Sequence, residues 1–411
     1  MVRVCDAIMG TGKSSAAITY MNEHPEKKFI YVTPYIPEAT RIAAACTNMK
    51  FFEPQKLARF KSSKVLHTID LVRRGENVAT THQAFRYYPQ ELLDMVREKK
   101  YTLIIDENVD VLEQLEEDQY DMQMIIDAGY IQEKSPCVYE LVNDVYKGET
   151  HKELFRVLRS RDLIKVHSDE VDKDSFFYWQ LPPDLITSFD EVYILTYMFK
   201  GQSLYNLLEM YSIPYEYIGI DKTDGVFRFS ETGGYVPEYV KTLKDKIHIV
   251  DSGRMNQIGS RDYSLSKGWF DKPTSNVKQL KNNIYNFFNN MSDAGYDERM
   301  WSTFKSSKTM ISGKGYSKCF ISFNKKATNE FRNKKAAAYC LNLFLHVGHK
   351  IFYKRNGVEV DEDAYALSNM VQWIWRSAIR DGEEIDLYVP SKRMRTLLTE
   401  WIEEVSKYGE V

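Results

Sequence analysis

The chain has 411 residues, which is long enough for two folded domains and too long for a minimal binding module. Its content of 43% apolar and 27% charged residues is ordinary for a globular protein, and no stretch contains the roughly 18 apolar residues that a membrane helix needs. The 55 basic and 58 acidic residues nearly cancel to a net charge of -3, which excludes a uniformly basic surface, so any nucleic-acid-binding surface must be local.

The cysteines and the first residues indicate the cellular compartment. The five cysteines are scattered and include no Cys-x-x-Cys pair, which argues against a disulfide framework and against a zinc ribbon. The N-terminal residues lead directly into a glycine-containing loop, without the basic and apolar regions of a secretory signal. The sequence therefore predicts a cytoplasmic protein with reduced thiols and no membrane role.

Short apolar runs alternate with longer amphipathic segments through most of the chain. The runs that we interpret as strands are residues 2–5, 29–33, 78–80, 103–105, 192–196, 247–250, 319–323 and 385–389. Strands that are separated by helical segments usually form a parallel sheet. The pattern therefore predicts an α/β fold.

Two stretches interrupt this alternation. Residues from about 110 to 173 are acidic and have helical periodicity, which predicts a helical insertion. Residues 201–245 are rich in turn-forming residues and predict a connecting segment. We therefore expect a first domain over residues 1–200, which includes the insertion, and a second domain over residues 246–411.

The strongest local signal is a glycine loop at residues 7–15, AIMGTGKSS, between the first predicted strand and the first predicted helix. Glycines allow backbone angles at which several amide groups face one phosphate, and a helix N-terminus adds its positive dipole. Lys13 is then expected to reach the β- and γ-phosphates, and Ser14 to bind Mg²⁺. A glycine turn beside an exposed lysine is the alternative, which the flanking strand and helix disfavour. The predicted nucleotide-binding residues are Gly10, Thr11, Gly12, Lys13, Ser14 and Ser15.

A second motif places two carboxylates, Asp106 and Glu107, directly after a predicted buried strand. The carboxyl ends of parallel strands border the ligand crevice in α/β folds. Asp106 is therefore predicted to hold Mg²⁺, partly through water, and Glu107 to polarise the water that attacks the γ-phosphate. Such a pair alone is more typical of a solvated strand end, but the upstream phosphate loop favours the functional interpretation.

The order of these motifs resembles that of superfamily 2 helicases of the DEAD/DEAH-like kind. Residues 7–14 are similar to the family's first motif, 32–35 to motif Ia, 80–83 to motif Ib, 106–107 to the DExx motif, 194–197 to motif III, 326–330 to motif V and 372–380 to motif VI. The sequence of the C-terminal half most resembles helicases that are encoded by tailed bacteriophages.

The resemblance implies two RecA-like domains with parallel sheets in tandem, which hydrolyse ATP with Mg²⁺ at the cleft between them. It implies movement along DNA, or unwinding of DNA, in phage replication or recombination, and it favours single-stranded or forked DNA over RNA. The insertion is the candidate surface for protein partners. Because the phosphate loop starts at residue 7, no glutamine motif precedes it, and we expect weak discrimination between nucleotide bases.

The resemblance also assigns residue roles. It gives catalytic roles to Lys13, Glu107, Gln372, Arg376 and Arg380, and a coupling role to Thr196. Arg380 lies eight residues after Gln372, where the family commonly has seven, so either arginine is a candidate arginine finger. Residues four apart are expected to share one helix face. The expected nucleic-acid contacts are Thr33, Pro34, Arg41, Thr81, His82, Gln83, Asn324, Thr328 and Asn329. For Trp301, Phe304, Trp373 and Trp375, we favour core packing over stacking on bases.

Two other classes of function share the phosphate loop. A nucleoside or polynucleotide kinase would also use Lys13, Ser14 and an acidic base, although it has no need of a motif VI helix. A degenerate ATPase that acts as a nucleic-acid-binding loader is the third interpretation. Hydrolysis that rises on addition of single-stranded nucleic acid is expected of the motor alone.

Overall fold

The structure is a computed structural model that describes residues 1–115, 117–159, 162–167, 175–272, 275–325 and 330–407. It divides into two compact units. The first contains residues 1–7, 12–235 and 346–360, and the second contains residues 8–11, 236–345 and 361–411.

The strands of the described residues are numbered β1 to β18 in chain order. They are Val2–Asp6, Lys28–Thr33, Phe51–Phe52, Asn77–Thr81, Tyr101–Asp106, Leu112–Gln114, Ile131–Ser135, Val138–Leu141, Leu163–His167, Ser175–Gln180, Glu191–Thr196, Tyr215–Tyr217, Gly219–Thr223, Val226–Ser230, Ile247–Ile249, Arg299–Ser302, Ala336–Tyr339 and Ile385–Tyr388.

The α-helices are numbered α1 to α17 in the same way. They are Lys13–Glu23, Ile36–Ala45, Lys64–Arg73, His82–Phe85, Gln90–Glu98, Gln119–Asp127, Lys152–Leu158, Asp184–Thr187, Ser203–Met210, Leu243–Lys246, Gly253–Asn256, Lys267–Phe270, Ser275–Asn286, Lys308–Ile311, Val347–Arg355, Glu362–Ile374 and Lys392–Ser406. Within the described ranges, none of these helices combines the length and the apolar character that crossing a bilayer requires.

The first unit is built on a parallel sheet of seven strands in the order β12-β1-β11-β5-β2-β4-β3. Val4 and Ile105 are buried in the hydrophobic core on one face, and Tyr31 and Ile104 in the core on the other. A parallel sheet that is covered on both faces requires such continuously apolar strands. The apolar runs up to residue 196 therefore form the centre of one sheet. β12, within the predicted connecting segment, pairs with β1 at its edge.

The described part of the segment from 110 to 173 contains strands as well as helices, which corrects the prediction of a purely helical insertion. β6 to β10 form an antiparallel sheet of five strands in the order β6-β10-β9-β8-β7, and α6 and α7 accompany it. All residues of β7 except Ile131 are exposed. A strand with polar residues on both faces lacks the alternation that identifies strands, so its composition is similar to that of a solvated helix.

The second unit contains a parallel sheet of four strands in the order β15-β18-β17-β16. The predicted strand at residues 319–323 is wrong, because this segment makes only an isolated bridge between Phe320 and Trp301. β17 escaped prediction because it consists of three alanines and a tyrosine, and alanine has a low strand propensity. All four of its residues are buried, so small side chains are tolerated there.

Candidate nucleotide-binding site

Three neighbouring strands of the first sheet end at the same edge. The register pairs Asp6 of β1 with Thr196 of β11, and Leu195 of β11 with Asp106 of β5. The carboxyl ends of parallel strands border the ligand crevice of open α/β sheets. The polar ends of these strands therefore meet where the phosphate loop leaves β1.

The phosphate loop makes a tight turn before α1 begins at Lys13. Thr11 is buried, and its amide and its hydroxyl donate to the carbonyl of Ile8 at 3.4 and 2.8 Å. Gly10 and Gly12 have φ angles of 82° and 88°, in the left-handed region that favours glycine. The turn delivers the chain to a helix N-terminus, which is a favourable place for an anion.

Phe227 lies against this loop. It belongs to β14, which pairs with β13 in a hairpin. A Cβ atom at Gly12 would lie 2.4 Å from Cδ1 of the Phe227 ring. Position 12 therefore requires glycine both for its backbone angle and for the ring that covers it, and only the first reason is visible in the sequence.

Lys13 contacts a backbone carbonyl of its own phosphate loop. Its Nζ donates to the carbonyl of Ala7. Burial lowers the pKa of Lys13, and the carboxylates of Asp106, Asp6 and Glu107 oppose this effect. A phosphate at this position would supply the negative charge that favours the ammonium form.

One carboxylate oxygen of Asp106 receives two hydroxyl groups. Ser14 Oγ donates to Asp106 Oδ2 at 3.0 Å, and the Tyr31 hydroxyl donates to the same atom at 2.7 Å. Burial raises the pKa of Asp106, and the hydrogen bonds from Tyr31 and Ser14 lower it. Ser14 and Asp106 are thus adjacent, and both offer oxygen ligands of the type that Mg²⁺ prefers. Sequence reasoning missed Tyr31, whose only signal is its place on the strand before motif Ia.

Glu107 follows β5 in an uncommon backbone conformation. Its φ is 65°, and its amide donates to the carbonyl of Leu195 at 2.9 Å. A residue with a side chain is strained in this region unless its surroundings hold it there. The neighbouring strand β11 therefore fixes the turn that carries the Glu107 carboxylate.

The loop after β11 is anchored by Gln202 and Asp6, which the sequence did not reveal, and by the predicted Thr196. Thr196 is buried, and its hydroxyl donates to Gln202 Oε1 at 2.6 Å, while Gln202 Nε2 donates to the carbonyl of Tyr197 at 2.8 Å. Asp6 Oδ2 accepts from the amide of Phe199 at 3.0 Å. Burial raises the pKa of Asp6, and backbone hydrogen bonds lower it.

Two predicted nucleic-acid contacts lie in the interior, which corrects their expected placement at the surface. Thr33 is fully buried. His82 is also buried, and its Nε2 donates to the carbonyl of Asp106 at 2.9 Å. His82 thus connects the end of β4 to the end of β5, and its side chain does not face solvent.

The other predicted contacts are more accessible. Pro34 and Thr81 are half-buried, and Arg41 and Gln83 are exposed. Arg41 forms an ion pair with Glu38, one turn earlier on α2. In the second unit Asn324 is exposed, and Thr328 and Asn329 lie outside the described residues.

Arg376 and Arg380 do not share a helix face, contrary to the prediction. The amide and hydroxyl of Ser377 donate to the carbonyl of Ile374 at 3.0 and 2.7 Å, at the end of α16. Arg380 lies in a separate 3₁₀ helix, Ala378–Asp381. Arg376 is buried and Arg380 is exposed.

The remaining motif VI residue and the tryptophans lie in or beside the core of the second unit. Gln372 is half-buried on α16. Trp301 and Trp373 are fully buried, and Trp375 is nearly so. The core-packing interpretation is therefore confirmed for these three tryptophans.

Similarity to known sequences extends over both units. Residues 241–402 match the model of a family described as the YonV C-terminal Rossmann-like domain. The SPbeta prophage-derived protein YonV of Bacillus subtilis (strain 168) is 36% identical to this chain over 414 residues, which span 98% of each chain. The chain belongs to the YonV family.

Two solved structures of XPD, one of them the apo form, are similar in fold to this YonV-family chain. Their TM-scores are 0.53 and 0.51 at 12% identity, and the similarity covers 98% of this chain and 95% and 94% of the XPD chains. At this identity the likeness concerns the fold alone. It confirms the predicted fold of two RecA-like domains with parallel sheets.

Proposed function

We propose that this protein is an ATP-dependent motor that moves along nucleic acid or unwinds it. The observation that carries the proposal is the hydrogen bond of 3.0 Å between Ser14 Oγ and Asp106 Oδ2 at the N-terminus of α1. It joins a hydroxyl and a carboxylate beside a glycine loop. This is the combination that holds Mg²⁺ and a nucleoside triphosphate in phosphate-loop NTPases.

The first unit supplies most of the proposed chemistry. The loop amides and the α1 N-terminus bind the phosphates, and Lys13 exchanges its contact with Ala7 for a β- or γ-phosphate oxygen. Ser14 and Asp106 hold Mg²⁺, which neutralises charge that develops on the phosphates. Glu107 orients and polarises the attacking water.

The second unit is proposed to complete the hydrolytic site. Arg376 or Arg380 supplies the guanidinium that stabilises the transition state, and Gln372 assists from the preceding helix. A site that needs groups from two domains makes hydrolysis depend on their movement, which is how such motors act on bound nucleic acid. Thr196, through Gln202, is proposed to couple the end of β11 to this movement.

The proposed nucleic-acid contacts keep the accessible candidates and the two that lie outside the described residues. In the first unit they are Pro34, Arg41, Thr81 and Gln83, and in the second Asn324, Thr328 and Asn329. Thr33 and His82 are assigned supporting roles, because their side chains are buried. The prophage origin of the relative YonV supports a role in phage DNA replication or recombination in the host cytoplasm, with DNA favoured over RNA.

Steady-state ATP hydrolysis with Mg²⁺ tests the proposal, measured with and without single-stranded DNA, duplex DNA and RNA. We expect single-stranded DNA to stimulate the wild-type rate and Lys13→Ala to abolish it. The matched control is Lys56→Ala, which removes an exposed lysine of the same unit and retains full activity. A panel of nucleoside triphosphates measures the predicted weak base discrimination.

Four outcomes would contradict the motor. No hydrolysis under any condition, or equal hydrolysis by wild type and Lys13→Ala, removes the phosphate loop from the chemistry. Transfer of the γ-phosphate to a nucleoside or polynucleotide acceptor identifies a kinase. Nucleic-acid binding that persists without hydrolysis, and that Lys13→Ala leaves intact, identifies a loader.

A further inference from the structure

The sheet-containing insertion of the first unit holds a cluster of metal-ligating side chains that the proposed motor does not use. Glu117, Asp121 and His151 each offer one ligand atom, and these atoms all lie within 4.8 Å of one another. Within the described ranges, no other group of three or more histidine, cysteine, aspartate or glutamate side chains has this geometry.

The three residues come from two separate parts of the insertion. Glu117 precedes α6, and Asp121 lies in the first turn of that helix. His151 immediately precedes α7, more than 20 residues further along the chain. His151 Nδ1 lies 2.8 Å from Glu117 Oε2, so the two segments already meet through ligand atoms.

His151 is fixed before any ligand binds. It is 6% exposed, its amide donates to the Tyr146 hydroxyl at 3.1 Å, and its carbonyl accepts from the amide of Phe155 at 3.0 Å. The rings of Tyr146 and Phe155 stack with centroids 4.4 Å apart. A selective metal site requires ligand side chains that are already anchored, because the entropy lost in ordering them would weaken metal binding.

The donor set selects the type of metal. One imidazole nitrogen and two carboxylates suit Zn²⁺, whereas Mg²⁺ and Ca²⁺ prefer all-oxygen sites. A tetrahedral ion with bonds of about 2.0 Å separates its ligand atoms by about 3.3 Å. The present separations, from 2.8 Å to at most 4.8 Å, span this value, so side-chain rotations can form the site.

We propose that Glu117, Asp121 and His151 bind one Zn²⁺ ion, with water in the fourth position. The ion joins the start of α6 to the start of α7. It thereby closes the segment 142–151, which contains no helix or strand. A metal that binds the folded form alone stabilises it, and cross-linking two separate parts of the chain is one source of this stabilisation.

The test is titration of the full chain with Zn²⁺, after treatment with a chelator and without nucleotide. Isothermal calorimetry is expected to show one bound equivalent, and Co²⁺ in its place is expected to give the visible absorption of tetrahedral coordination. Glu117→Gln and Asp121→Asn preserve side-chain size and are expected to lose this equivalent. His151→Gln is expected to lose it as well, with circular dichroism confirming that each variant is folded.

Two matched controls separate this site from adventitious binding. Asp127→Asn alters an exposed carboxylate at the other end of α6. His24→Gln alters a surface histidine that lies 3.2 Å from Glu26. Both controls are expected to retain the bound equivalent and the rise in melting temperature that Zn²⁺ gives the wild type.

The proposal is overturned if the wild type binds no Zn²⁺, if Glu117→Gln and Asp121→Asn retain it, or if the controls lose it equally. Displacement of Zn²⁺ by an equal concentration of Mg²⁺ would also overturn it, because it would contradict the donor-set argument. ATP hydrolysis is not among the readouts, so the outcome is independent of the proposed motor.

Discussion

The Asp106 carboxylate lies in the interior of the first unit, where burial raises its pKa. The hydroxyl groups of Tyr31 and Ser14 stabilise its charged form. A carboxylate of this kind is costly in the free protein and gains from a bound cation. Tyr31 therefore acts as a positioning residue for a group that the proposed chemistry needs ionised.

Tyr31→Phe is expected to raise the pKa of Asp106, because it removes a hydrogen bond that favours the charged form. Protonation of Asp106 then sets in at higher pH, so the acidic limb of the hydrolysis profile is expected to shift to higher pH. The pH dependence of the hydrolysis rate measures this shift. Tyr101→Phe is the matched control, since this buried tyrosine on β5 donates to the carbonyl of Glu76 instead. An unchanged profile for Tyr31→Phe would remove the positioning role.

Gly12→Ala is expected to destabilise the fold for two separable reasons. The positive φ costs about 1–2 kcal/mol for alanine, and the Cβ atom meets the Phe227 ring. The double variant Gly12→Ala/Phe227→Ala should recover the steric part alone, relative to Phe227→Ala. Urea unfolding of the four proteins completes this cycle. If Gly12→Ala changes the free energy of unfolding equally with and without the Phe227 ring, the ring moves aside without destabilising the fold.

The residues of the candidate site differ in how visible they are in the sequence. Lys13, Ser14 and Asp106 could be predicted, because the spacing of a phosphate loop and the end of an apolar strand identify them. Tyr31 could not, because Asp106 is close to it only through the order and register of the strands. Gln202 could not either, because its contacts with Thr196 and Tyr197 depend on the fold of the loop after β11. Polar residues on an apolar strand or in a loop carry no sequence signal of the bond that they make.

At the scale of elements, α15 packs on the antiparallel sheet of the insertion. Tyr178 of β10 lies with its hydroxyl 3.2 Å from His346 Nδ1 and with its ring centroid 5.1 Å from that of His349. Burial, and then the neighbouring His346, lower the pKa of His349 to about 4, and Asp110 opposes the shift. This contact therefore depends on a neutral imidazole.

The contact predicts acid sensitivity with a definite sign. The unfolded chain protonates His349 near its ordinary pKa of about 6.5, and the folded chain does so only near 4. The contribution of His349 to the free energy of unfolding is therefore present above about pH 6.5 and is lost as the pH falls toward 4. His349→Gln is expected to reduce the loss of unfolding free energy between pH 7.5 and 5 by about 2 kcal/mol. Urea unfolding at both pH values measures this loss, with His24→Gln as the control variant. If His349→Gln loses as much unfolding free energy between the two pH values as the wild type, the prediction is wrong.

The elements that the sequence predicted are those with a one-sided or continuous apolar signal. The central strands of the first sheet belong to this group, because burial on both faces makes them apolar throughout. The insertion does not, because strands such as β7 are solvated on both faces. Strand β17 was missed although all of its residues are buried, because three of them are alanines, which give only a weak strand signal.

At the scale of the whole molecule, the proposed motor requires residues from both units. We expect one of two variants, Arg376→Lys or Arg380→Ala, to lower the hydrolysis rate by about 10³-fold or more with nucleotide binding retained. The variant that does so identifies the arginine finger. Arg332→Ala is the control, because this exposed arginine pairs with Asp381, next to Arg380. Rates and nucleotide affinities are measured together. Full activity in both arginine variants would remove motif VI from the proposed mechanism.

The chain leaves the first unit after residue 235, returns to it at residues 346–360, and then goes back to the second. Helix α15, which packs against the insertion, is therefore separated by more than 100 residues from the rest of its unit. During synthesis on the ribosome, the first unit remains incomplete until residue 360 has emerged, by which point most of the second has been made. A truncated product ending near residue 235 leaves Tyr178 without its helical cover, and a clean fragment of the first unit requires α15 to be supplied separately.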